Sequence, residues 1–440
     1  MKVRTKITLI IASIALLIYP FKVASQDFIK ISGKVIDKTT GESLSFTSIS
    51  IKGKSVGTVT NTDGEFDLFI DEKYNKNILM VSHIGYDTYE VIIRDIGKKS
   101  GLRIALEEST VTLDEIQIEA ERLTAVRIMD KVWENLDKNY SSEPFTMKGF
   151  FRDLRYQNRE SAFLVETALE IYDPGIMISK EGNEKERRKF YLHGIRASKN
   201  YINGLLTPVL DNQNWLFFTL EYNWLKSYYT CKSENVNYKI QGTVQKDDKL
   251  MYIISSEKTL KNTNNDPSYK DLQYNQKELF YVEAETYAIY KIEFHENPIE
   301  GNYVSVEPPY EGDTLYYSKK GWHVILEYAE HNGKMYLKYA DYEYAFDIYD
   351  IENENIYLDM LFNLTFIATD IHTDTKQKPK GIRPNRNKGL NLQAKNYDVT
   401  FWGNESNAKL VPLTKKQVEG LERDMPLEEQ FKLSGQKKQQ

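Results

Sequence analysis

The sequence predicts a mainly β protein: a small N-terminal β-sandwich, then a second, α+β domain built on a curved antiparallel sheet with a few helices. Three observations predict it. Apolar residues alternate with period 2 in successive runs from Ile31 to Ile371, whereas helical periodicity is clear in only one stretch, 125–136. Asp63-Gly64 and Asn332-Gly333 sit between alternating runs, where glycine admits the positive φ of a tight hairpin. Tyrosine, at 31 residues against five tryptophans, suits half-buried pleated surfaces.

Residues 1–25 read as a secretory signal, with an uncleaved anchor as the rival reading. Lys2, Arg4 and Lys6 precede an apolar run, Ile7–Ile18, and Val23-Ala24-Ser25 before Gln26 is a small-residue cleavage site. The run is shorter than the ~20 residues of a membrane span. Without that segment, four cations fewer leave 54 against 64 acids, a net charge of −10. This balance disfavours nucleic acid, whose binding rests on cation–phosphate contacts. The lone Cys231 excludes an internal disulfide and fits an exported bacterial protein better than a disulfide scaffold.

Residues 27–108 form the predicted sandwich. Val35, Ile49 and Ile51 lie in period-2 patterns, Thr62-Asp63-Gly64-Glu65 reverses the chain, and Phe66 and Leu68 re-enter the core. Leu79, Val81 and Ile84 make the next strand, closed by Gly85-Tyr86. Gly33, Val35, Gly41, Gly57-Thr58, Thr62-Asp63-Gly64-x-Phe66 and Ile84-Gly85-Tyr86 together resemble the carboxypeptidase-like regulatory domain, an Ig/transthyretin-like sandwich. Leu113-Asp114-Glu115-Ile116 follows where such domains hand over to the next module. The resemblance implies an accessory, non-catalytic module.

Residues 109–141 read as a linker and an amphipathic helix. Ala125, Val126, Met129, Val132, Trp133 and Leu136 make its apolar stripe, and Thr124 can cap it. Residues 142–400 read as the second domain. Phe163, Val165, Leu169 and Ile171 share one face; Glu181–Lys189 is a loop; Asn212–Tyr229 is aromatic and helical in pattern. Tyr238–Ile240 and Met251–Ile254 are strands, and Lys258–Gln276 is a polar loop. Glu278–Glu296 is a hairpin turning at Glu283–Thr286. Trp322, Val324, Leu326 and Tyr328 alternate toward Asn332-Gly333, and Tyr342–Tyr349 and Leu361–Ile371 are further strands. Phe280-Tyr281-Val282-x-x-x-x-Tyr287-Ala288-Ile289 resembles the strand–turn–strand of lipoprotein-carrier-like half-barrels of the LolA/LolB type. The basic run 376–388 reads as a solvated loop that acidic lipid headgroups could also meet. Residues 401–440 read as a short strand at Trp402, helices over Thr414–Leu421 and Pro426–Leu433, and a disordered tail.

Chemical motifs are sparse. The six histidines are His83, His193, His295, His323, His331 and His372, and none has Glu three residues on, so the His-x-x-Glu of a zinc peptidase is missing. His323, Glu327 and His331 would cluster on a helix, but strand spacing of ~3.3 Å per residue holds neighbours in this set ~13 Å apart. Gly53-Lys54-Ser55-Val56-Gly57 fits the pattern of a nucleophile elbow, yet lies between two strands and reads as a turn. Ser48 stands where a phosphate loop needs glycine. Asn61-x-Asp63-Gly64 opens like a calcium loop without the closing Glu. Asn139, Asn363 and Asn404 head sequons. No catalytic, cofactor or metal residues are therefore expected, and no ligand-binding residue can be named.

The first expectation is a non-enzymatic envelope protein, in the periplasm or associated with the outer membrane. Its β-rich domain would bind an apolar or lipid-like ligand. The alternative is a protein–protein module of an outer-membrane complex of the TonB-dependent type, since the regulatory-like domain also occurs at the front of such receptors. The chain is too short to carry their large barrel itself. A hydrolase with residues that meet only in space is the last reading.

Overall fold

In a computed structural model the structure describes residues 28–109, 124–176, 187–202, 214–221, 225, 236–261, 273–299, 315–350, 355–374, 379–393, 397–403 and 411–434. The predicted signal segment, the predicted linker over 110–121, most of the predicted loops at Glu181–Lys189 and Lys258–Gln276, Cys231 and the predicted tail lie outside the described residues. No helix among the described residues is long and apolar enough to cross a membrane.

The first unit is a sandwich of two sheets. β1 (Phe28–Asp37) lies between β4 (Glu65–Asp71) and β7 (Leu102–Leu106). The second sheet runs β3 (Gly57–Val59), β2 (Ser48–Ile51), β5 (Ile78–Ser82), β6 (Tyr89–Ile92). Alternate residues of both sheets face each other: Ile31, Val35, Ile49, Ile51, Phe66, Leu68, Leu79 and Val81 form one buried cluster. Ile84 departs from expectation. β5 stops at Ser82, and Ile84-Gly85 is a turn with Gly85 at φ 90°. Gly64, at φ 76°, makes the turn foreseen there, and a Cβ on it would meet the Val35 carbonyl oxygen at 2.5 Å.

Gly33 is required by packing. It stands opposite Leu102 in the parallel β1–β7 pair, and a Cβ there would lie 2.4 Å from the Leu102 carbonyl oxygen. Gly33→Ala is expected to destabilise the protein by about 2–3 kcal/mol in urea unfolding, an overpacking loss against backbone that cannot yield. Gly97→Ala, where nothing lies within 4 Å of the added atom, is the control and should stay within about 0.5 kcal/mol of wild type.

The second unit is one ten-stranded antiparallel sheet in the order β10-β9-β8-β17-β16-β15-β14-β13-β12-β11. Its strands are β8 (Phe145–Gln157), β9 (Glu160–Asp173), β10 (Lys189–Ala197), β11 (Tyr238–Lys246), β12 (Lys249–Lys261), β13 (Gln273–Glu283), β14 (Ile289–Pro298), β15 (Leu315–His331), β16 (Lys334–Asp350) and β17 (Asn355–His372). Asn332 and Gly333, at φ 51° and 75°, turn β15 into β16.

One face, here the inner face, carries the largest apolar cluster and is covered by α1 (Ala125–Glu134), α2 (Leu136–Asn139) and α3 (Trp215–Leu220). The Thr124 hydroxyl accepts from the Arg127 amide and caps α1. Ala125, Met129, Val132, Trp133 and Leu136 are buried as expected, with Ile128 added, whereas Val126 is 50% exposed. Val126 falls one position off the stripe, because a helical turn takes 3.6 residues.

The outer face carries the sandwich and the C-terminal helices. Val59 and Phe46 of the sandwich pack on Ile325, Tyr339 and Ile367 of the sheet and on Val411. The Gly85 amide donates to the Gln245 carbonyl at 3.0 Å, Thr88 Oγ1 to Asp247 Oδ1 at 2.8 Å, and Ser55 Oγ to Asp370 Oδ1 at 3.2 Å. Trp402 belongs to a helix, α4 (Val399–Gly403), and not to a strand; its ring is buried against Phe150 and Ala168. α5 (Lys415–Leu421) and α6 (Leu427–Ser434) follow, with Leu421 and Phe431 on Leu154 and Leu164. The described part of the basic run, 379–388, is folded. Ile382 bridges Leu192 of the edge strand β10, and Arg386 pairs with Glu221. This covering blunts an open sheet edge.

Candidate functional site

Two regions of the sheet concentrate chemistry. The first is the aromatic end of the inner face. α3 lays Leu216 and Leu220 into the core and turns Phe218 outward, 45% exposed. Phe218 stacks on Trp322 at 5.5 Å, and Trp322 meets Phe294 at 5.6 Å. Trp215 meets Phe362 at 5.2 Å and Tyr344 at 6.3 Å. The apolar layer of the core thus continues to solvent here. The described part of the aromatic segment, 214–221, supplies both core and rim.

Polar groups in this layer come in matched pairs. The Arg155 guanidinium gives two hydrogen bonds to Asp153, at 2.9 and 2.7 Å, and lies over the Phe163 and Phe362 rings. Lys319 pairs with Glu296, and its ammonium lies 5.0, 5.5 and 6.0 Å from the Tyr274, Trp322 and Tyr344 ring centres. The Trp215 indole N–H is buried with no hydrogen-bond partner among the described residues.

The second region is a cavity of about 120 Å³ with a mixed polar and apolar wall on the outer face, between the sandwich, the sheet and the segment at 411–417. Asn61, Arg152, Tyr156, Asp341, Glu343 and Gln417 are among the side chains on its wall. Asp341 is 4% exposed and accepts from Asn363 Nδ2 at 3.1 Å and Thr365 Oγ1 at 2.9 Å. Burial and then Glu343 push its carboxyl up to about 6, against the help of those donors. Burial also pushes the Tyr339 phenol up. His83, elsewhere in the junction, shares a hydrogen bond with Thr47 Oγ1 at 3.2 Å. Burial, then Lys291 and Lys246, lowers its imidazole to about 4.

Beside the cavity Arg152 and Arg196 clamp Glu166. Arg152 Nε donates to Glu166 Oε1 at 2.7 Å and Arg196 Nε to Oε2 at 2.6 Å. Burial pushes the Glu166 carboxyl up, but Arg196 and Arg152 outweigh it and hold it below the usual range. Arg152 also donates to the Val411 carbonyl at 2.8 Å, and Arg196 lies over the Trp402 and Phe431 rings.

The motifs weighed in the sequence resolve into structure. The Asn61 carboxamide oxygen accepts from the Asp63 and Glu65 amides at 2.9 and 2.8 Å, so it closes the hairpin turn. Ser55 lies between β2 and β3 and joins the sandwich to Asp370. Asn139 and Asn363 donate to Thr286 and Asp341; Asn404 lies outside the described residues. His323, Glu327 and His331 lie along β15, and the first and last are not brought together. The partner of His323 is instead His295 on the neighbouring strand, in ring contact at 4.1 Å. Neither this pair nor the Asp341 cavity is visible in local spacing.

The family model of the CarboxypepD_reg-like domain matches residues 31–118. A search of curated proteins finds no match. Among solved structures, a LolA superfamily protein from Nitrosomonas europaea is similar at 11% identity and a TM-score of 0.21, over 57% of this chain and 93% of the other. A DUF1329 family protein from Desulfovibrio piger is similar at 8% identity and a TM-score of 0.25, over 58% and 95%.

Proposed function

We propose that the chain is a non-enzymatic, exported envelope protein that binds an apolar or lipid-like ligand at the aromatic end of its inner face. The carrying observation is the Phe218–Trp322 stack, an apolar layer that runs from the core to solvent. Exposed aromatic surface continuous with a core offers about 25 cal/mol per Å² of apolar contact to a chain laid on it. The Lys319–Glu296 pair at the same rim suits the polar end of such a ligand. Matched, buried pairs such as Arg155–Asp153 favour binding over acid/base chemistry. The sandwich, which a partner module would use for docking, gives one face to its own sheet.

An environment-sensitive acyl probe tests this reading on the full-length mature chain. Trp322→Ala and Phe218→Ala should each weaken binding about tenfold, the equivalent of about 1.4 kcal/mol. Val126→Ala, on the exposed side of α1, should leave it unchanged. Equal affinity in all three, or no probe uptake by wild type, counts against the proposal.

A further inference from the structure

The outer face of the sheet carries a row of side chains set directly opposite one another on five neighbouring strands. In register these are Lys277, His295, His323, Glu343 and Asn363. Directly opposed residues on one face have Cβ atoms about 4.5–5.5 Å apart, so their side chains meet. The His295 and His323 rings meet face to face, with centres 4.1 Å apart and planes 14° apart. His323 Nδ1 lies 3.9 Å from Glu343 Oε2. The His323 side chain is 31% exposed and that of Glu343 45%. His295 also forms part of the wall of an open groove of about 640 Å³, with Lys277, Asn275 and Asn297, so a solute has a way in.

We propose that His295 and His323 chelate a divalent transition metal of the zinc, nickel or copper class, with Glu343 as a third ligand and water completing the sphere. Imidazole nitrogen is the common donor for these ions. Two metal–nitrogen bonds of about 2.0–2.1 Å in tetrahedral geometry set the nitrogens roughly 3.3 Å apart. Chelation therefore requires a turn of each ring about χ2 from the present stack and a rotamer change at half-exposed Glu343. Among the described residues no three such side chains already converge on a metal position. His323 belongs to a chelate with its cross-strand neighbour, and not with the Glu327 and His331 that follow it in sequence.

Calorimetric titration of the tag-free, full-length mature chain with Zn²⁺ and with Cu²⁺ tests the assignment. One ion per chain is expected, with affinity lowered at least 100-fold in His295→Ala and in His323→Ala, and about tenfold in Glu343→Gln. His372→Ala, at the end of β17, should bind as wild type does. The Cu²⁺ form should show hyperfine coupling to two nitrogens in its electron paramagnetic resonance spectrum, and to one in either histidine variant. Circular dichroism of each variant checks that the fold persists; were an alanine variant unfolded, the glutamine variants give the same comparison. Wild-type binding that survives both histidine substitutions, or no binding by folded wild type at millimolar ion, overturns the proposal.

Discussion

Glu166→Ala is expected to lose about 3–5 kcal/mol of stability, a cost typical of breaking a buried ion pair from one side. Glu166 is 1% exposed and holds both Arg152 and Arg196. Without it two guanidinium groups remain in the interior with their charge unmatched. The loss should reach the C-terminal segment, because Arg152 fixes the Val411 carbonyl and Arg196 supports the Trp402 and Phe431 rings. Tryptophan fluorescence during urea unfolding reads both effects. Glu166→Gln keeps an acceptor and should lose less. The triple replacement Arg152→Met, Glu166→Leu, Arg196→Met removes all the charges at once and should cost less than Glu166→Ala alone. A loss below about 1 kcal/mol in Glu166→Ala would show that the cluster is solvated.

The second large effect is a pair of opposed pH dependences at the domain junction. Asp341 titrates near 3.8 in the unfolded chain and at about 6 in the fold. The folded protein thus holds this proton more tightly. The stabilisation is fully present below about pH 4 and is lost as pH rises through about 6. His83 has the opposite sign: its value falls from 6.5 to about 4 on folding, so stability present above 6.5 is lost as pH falls through about 4. Each shift corresponds to about 3 kcal/mol, and the two nearly cancel between pH 4 and 6. Asp341→Asn should therefore gain about 3 kcal/mol relative to wild type as pH goes from 4 to 7. His83→Gln should gain a similar amount relative to wild type as pH falls from 6.5 to 4. Denaturation curves at stepped pH give both differences, and flat difference curves would mean that neither group is as buried as the structure has it.

Much of the fold was legible because local chemistry and tertiary structure agree. Asp63-Gly64 and Asn332-Gly333 turn where glycine dictates, and the stripe from Ala125 to Leu136 lies on the sheet. The departures have local causes. Trp402 sits in a one-and-a-half-turn helix too short to show a period, and Ile84 belongs to the turn made by Gly85. The described part of the basic run is a largely exposed loop, as expected, and only the strand order reveals that Ile382 within it bridges the edge strand β10. The sites were least legible. Asn61, Arg152, Asp341 and Gln417 come together from four distant parts of the chain, and His295 reaches His323 across a ladder. Strand register decides both, and period-2 alternation reports which face a residue takes, not which residue it will face.

Native mass spectrometry of the protein, exported to a periplasm and gently purified, tests the ligand claim most directly. The account predicts wild-type ions carrying an added mass in the lipid range, and loss of that mass in folded Trp322→Ala and Phe218→Ala. Wild-type ions at the bare chain mass, or an adduct that persists in both variants, would contradict it.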